Sequence, residues 1–115
     1  MAHYEDIEID QGASVKYRIQ LLDVDGSNRN LTNYTARGKL NRSYDALSSE
    51  SLDFLVNISL PVTQGIIDFS LTSVQSDTLT RRRYVYDIEI EHVENGITVV
   101  ERVLEGEVLV SRQTS

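Results

Sequence analysis

Residues 81–110 read RRRYVYDIEIEHVENGITVVERVLEGEVLV, and the fold class follows from this stretch. Tyr84, Tyr86, Ile88 and Ile90 recur at every second position with Asp87, Glu89 and Glu91 between them. That is the period of a strand with one apolar and one acidic face. Asn95-Gly96 then supplies two residues that tolerate positive φ, as a tight hairpin turn requires. A second β-branched run, residues 97–110, is rich enough in Val to be expected to fill a sandwich core. The stretch therefore predicts one long β-hairpin.

Working back from the hairpin, the same period recurs. Ile7 and Ile9 alternate with Asp6, Glu8 and Asp10 over 4–10, and Val15, Tyr17, Ile19 and Leu21 alternate with Lys16, Arg18 and Gln20 over 13–22. A strand is expected over 34–44 from Tyr34, Ala36, Gly38 and Leu40. Another is expected over 52–60, where Leu52, Phe54, Val56, Ile58 and Leu60 are in phase, and a third over 65–71 from Ile67, Phe69 and Leu71. Residues 23–28 are a turn by composition, Leu31 is expected to tuck into the core, and 45–51 forms a Ser-rich loop with the character of a mobile segment. Pro61, the only Pro, marks a strand end.

Over 72–79 the period lengthens, with Leu71, Val74 and Thr78 on one helical face. Thr72 and Gln75 have the spacing of a capping box. A short helix near 72–79 is expected to cross from one sheet to the other. The total is about seven strands at intervals near ten residues: an all-β, immunoglobulin-like antiparallel β-sandwich forming a single domain over 1–115. The crossing turn followed by Tyr84-x-Tyr86 resembles the tyrosine corner of such sandwiches.

Composition narrows the function. A net charge of −7 argues against nucleic acid or an anionic membrane as partner. With no Cys there is no disulfide and no thiolate metal site. No stretch has the length of a signal peptide or membrane span, so synthesis in the cytoplasm is expected. The Asn-x-Ser/Thr sites at Asn30, Asn33, Asn41 and Asn57 then reflect composition alone.

Chemistry is sparse. His3 and His92 have no nucleophile or acid partner by position, and no nucleophile elbow, phosphate loop or zinc-protease motif is present. Asp23 and Asp25 with Gly26 and Asn28 offer alternate oxygens of the kind a hard cation needs, but turn chemistry already accounts for them. No catalytic residue, cofactor or metal is therefore expected. Glu89, Glu91, Glu94, Glu101, Glu105 and Glu107 are expected to be solvated charges that keep the sheet from pairing edge to edge. Arg81, Arg82 and Arg83 form the sharpest charge feature, suited to docking a carboxylate-rich partner or the acidic face of a neighbouring copy. Tyr17, Tyr84 and Tyr86 point inward by phase, and Tyr4, Tyr34 and Tyr44 are scattered, which gives little basis for a sugar-stacking platform.

A resemblance adds to this. In order it involves Asp10-Gln11-Gly12-Ala13-Ser14, Asp25-Gly26, Asn30-Leu31-Thr32-Asn33-Tyr34-Thr35, Gly65-Ile66-Ile67 and Leu71-Thr72. It continues through Tyr84-Val85-Tyr86-Asp87-Ile88-Glu89-Ile90 and Arg102-Val103-Leu104-Glu105-Gly106-Glu107-Val108. Taken together, the chain resembles small β-sandwich structural proteins of tailed bacteriophages, notably those of marine bacteria and cyanobacteria. It is distantly similar to the N-terminal domains of baseplate proteins that anchor fibres. The resemblance implies a virion component without catalytic activity and carries over no site residues. With no coiled coil, stalk or second domain after Ser115, capsid decoration is expected as readily as a place in the tail or baseplate. The partners would be other virion proteins contacted in many copies or as a homo-oligomer. The alternative function is a receptor- or carbohydrate-binding module.

Overall fold

The computed structural model describes residues 3–42 and 51–112. The described residues form nine strands in two packed sheets: β1 (His3–Tyr4), β2 (Ile7–Asp10), β3 (Val15–Gln20), β4 (Thr35–Asn41), β5 (Leu52–Asp53), β6 (Leu55–Ile58), β7 (Ile66–Leu71), β8 (Arg83–Glu94) and β9 (Ile97–Ser111). The larger sheet runs β1-β9-β8-β4-β5 with β2 also on β9, and the smaller runs β3-β7-β6. The sandwich is thus as expected. Residues 43–50, including Tyr44 and most of the expected loop, lie outside the described residues.

The seven expected strands become nine because two are broken. The first divides at Glu5 and Asp6, and both halves pair parallel to β9, with His3 beside Leu104 and Asp10 beside Ser111. All other strand pairs are antiparallel. The expected strand over 52–60 is two strands in different sheets: β5 pairs with β4, and β6 pairs with β7. Phe54 is the crossing point, buried, with its N–H donated to the Gly38 carbonyl at 3.0 Å. Leu60, placed in the core by phase, is exposed because it lies beyond β6, just before the cis Leu60–Pro61 bond and a 3-10 turn, Val62–Gln64.

Between the sheets sit Ile9, Leu40, Ile67, Phe69, Leu71, Tyr86, Ile88, Ile90, Leu104 and Val108, and Leu31 tucks in as expected. Phe69 lies within 5.2 Å of Phe54 edge-on and stacks with Tyr17 at 5.4 Å, an aromatic cluster joining both layers. The helix α1 (Ser73–Asp77) carries the predicted reciprocal cap, the Gln75 N–H donating to Thr72 Oγ1 and the Thr72 N–H to Gln75 Oε1. It does join the small sheet to the large one. Its buried positions, however, are Ser76 and the following Leu79, while Val74 is exposed. The Ser76 hydroxyl donates to the Ala13 carbonyl at 2.6 Å, so this short helix docks through a polar anchor as well as an apolar one.

The decisive hairpin turns at Asn95 and Gly96, both at positive φ, as the sequence predicts. It does not fill the core along its whole length. Residues 97–100 are exposed, because β9 has 15 residues and the described strands of the smaller sheet have no more than 6. At about 3.3 Å per residue β9 alone accounts for the 49 Å long axis of the molecule. The smaller sheet ends well before the tip. Opposite Ile88 and Glu89 the register shifts, leaving Val103 as the extra residue of a bulge. Val103 and Leu104 are both buried, and beyond the bulge the alternation of β9 changes phase.

Candidate functional site

The basic run is held at the base of the hairpin by its own neighbours. Thr80 leads out of the helix, and the Arg81 N–H donates to the Tyr84 hydroxyl at 3.0 Å. A buried Tyr bonded to backbone three residues upstream is the arrangement expected of a tyrosine corner. The Val110 N–H donates to the Arg82 carbonyl at 2.8 Å, and Arg83 opens β8 opposite Leu109. The three arginine side chains project to solvent.

They line an open groove of about 860 Å³ together with Arg42, Leu109, Val110, Ser111 and Glu8. The register explains the grouping. Leu109 is the partner of Arg83 on one side and of Glu8 on the other, so Glu8, Leu109 and Arg83 form a row across three strands on the outer face of the large sheet. Asp10 follows beside Ser111. Arg112 borders the adjoining hollow with Arg82. Glu8, Leu109 and Arg112 were not legible as members of this site, because only the parallel pairing of β2 with β9 brings Glu8 to it.

Apart from Arg42, the described arginines divide into two groups. Arg18, Arg29, Arg37, Arg83 and Arg102 each approach a carboxylate, at 2.7 to 3.9 Å, with Arg83 the most distant from its partner, Glu107. Among the described residues the guanidinium groups of Arg81, Arg82 and Arg112 have no such partner. The arginines without a carboxylate partner thus collect at one end of this acidic protein.

The carboxylates of the hairpin are more ordered than the sequence suggests. Arg37 bridges Glu89 and Glu91, Arg102 bridges Asp87 and Glu105, and Glu101 binds Arg29 through two contacts of 2.7 Å. They are cross-strand and loop ion pairs rather than bare solvated charges. The Arg29 guanidinium holds the Glu101 carboxyl below the usual carboxylate range, whereas burial pushes the Asp87 carboxyl up against the opposing pull of Arg102.

The remaining candidates lie apart. His3 is in β1, and His92 stands 4.6 Å from the Tyr34 ring with Nε2 at 3.6 Å from Glu94 and Nδ1 buried without a partner. Asp25 accepts the N–H and hydroxyl of Ser27, so its oxygen closes a turn. Among the described residues no three His, Asp or Glu side chains gather to hold a metal ion. Tyr17, Tyr84 and Tyr86 point inward as expected, with the Tyr86 hydroxyl donating to the Glu5 carbonyl at 2.6 Å and that of Tyr17 to the Glu8 carbonyl.

No protein-family model and no curated protein matches the sequence. Among solved structures the chain is similar to the N-terminal domain of phage TP901-1 ORF48, with a TM-score of 0.56 and 11% identity over 92% of this chain and 84% of that one. At that identity the likeness is one of fold.

Proposed function

We propose that this chain is a non-enzymatic structural component of a tailed-phage particle, held on the tail, baseplate or capsid by protein–protein contacts. The observation that carries the proposal is the likeness to a phage domain over nearly the whole chain, which agrees with the virion role implied by the sequence resemblance. Two features of the surface support it. The hairpin carboxylates are engaged by arginines on an open sheet face, which suits a scaffold. Arg81, Arg82 and Arg83 present planar guanidinium donors at the rim of a groove, which suits docking onto the carboxylates of a neighbouring virion protein.

Sedimentation of purified particles tests this. The chain is expected in the particle fraction at fixed stoichiometry, and separation of heads from tails then assigns its position. A chain found only in the soluble fraction overturns the proposal. Reversing the corner in an Arg81→Glu, Arg82→Glu, Arg83→Glu variant is expected to reduce incorporation on the order of tenfold or more while circular dichroism stays unchanged.

A further inference from the structure

The groove is charged on both sides. Arg83, with Arg81 and Arg82 just beyond, forms its β8 wall, and Glu8, with Asp10 just beyond, forms its β2 wall. Leu109 stands between them on the central strand, 36% exposed, an apolar residue in an otherwise charged row. Arg83 and Glu8 are two strand spacings apart, about 10 Å, and make no ion pair with each other.

We infer that this groove is a two-fold interface between two copies of the chain, with Arg83 of each copy over Glu8 of the other and the two Leu109 side chains meeting at the centre. The charge order fixes the geometry. When two such faces meet about a two-fold axis lying between them along β9, the left and right walls exchange, and each arginine wall falls on an acidic wall. An axis across the strands would set arginine on arginine. Isologous contacts require a self-complementary patch, and a row reading positive, apolar, negative is one. Arg83 is free to take part, since its Glu107 contact is only 3.9 Å and half exposed to solvent on the Glu107 side.

The inference names the partner of the docking corner and rests on the structural role proposed above. A patch of this extent belongs with small, weak interfaces, which become effective when many copies are held on one particle.

Sedimentation velocity from about 10 µM to about 1 mM, a range suited to weak contacts, measures it. The wild-type chain is expected to pass from monomer to dimer, less readily in about 0.5 M salt. Arg83→Glu and Glu8→Arg are each expected to weaken dimerisation on the order of tenfold or more. Mixed in equal amounts, the two variants are expected to recover a dimer, because each then supplies the wall the other lacks; that recovery also shows that both are folded. A wild-type chain that stays monomeric throughout overturns the inference. So does a mixture that stays monomeric, or a dimer abolished by Val99→Asp and indifferent to both charge reversals, which would assign the contact to the hairpin tip. Dimer recovery without particle sedimentation removes the virion role and leaves the contact standing. Particle sedimentation with a monomeric wild type assigns the corner to a different virion protein.

Discussion

Gly106 shows how one residue decides the position of a strand. A Cβ added there would lie 2.0 Å from the Glu5 carbonyl oxygen, which also accepts the Tyr86 hydroxyl, while the Glu5 N–H donates to Glu105 at 2.8 Å. The β1–β2 junction can approach β9 only because position 106 has no side chain. Gly38 is tight in a different way, since its added Cβ would meet the Ile88 Cδ1 tip at 2.5 Å, an atom that can rotate aside. Gly106→Ala is therefore expected to cost about 3 kcal/mol and Gly38→Ala about 1 kcal/mol in urea unfolding. Amide exchange should rise at residues 3–10 in the first variant only. A glycine between Glu105 and Glu107 gave no local sign of this, because the atom it avoids is about a hundred positions away. The Asn95-Gly96 turn and the Thr72–Gln75 cap, by contrast, were legible because their partners are neighbours in sequence.

Among the elements, the hairpin is the clearest case of a pattern that reports periodicity without reporting what faces it. Alternation identified β8 and β9, yet burial depends on how far the opposing sheet extends, and that sheet stops short. Val93 and Ile97 are 69% and 66% exposed. Replacing Val93, Ile97, Val99 and Val100 together by Thr is expected to change unfolding free energy by less than about 1 kcal/mol, whereas Val108→Ala alone costs about 2 kcal/mol. Chemical denaturation of the two variants checks the contrast. The break at Phe54 was hidden for a related reason: both halves of 52–60 keep one phase as they change sheets, and no Pro or Gly marks the crossing.

For the whole molecule, fold class was legible because it depends on strand count, turn chemistry and the sheet-changing helix, all of which leave local marks. The candidate site was half legible: the arginines were evident, and the opposing acidic wall depended on long-range register. Charge also shapes stability as pH changes. Glu101 has its folded pKa depressed by Arg29, so its stabilisation is present above the ordinary carboxylate range and lost as pH falls through the folded value. Asp87 acts oppositely, since its raised folded pKa makes ionisation with rising pH unfavourable to the folded state. Glu101→Gln is expected to cost about 1 kcal/mol near neutral pH after solvent screening, and the deficit should vanish by about pH 2, read from thermal unfolding of both proteins. The parallel seating of β1 and β2 on β9 has a mechanical consequence. His3 lies beside Leu104 and Asp10 beside Ser111, so a pull between residues 3 and 111 draws the strands along each other. Their backbone bonds are then loaded together in shear instead of opening one at a time.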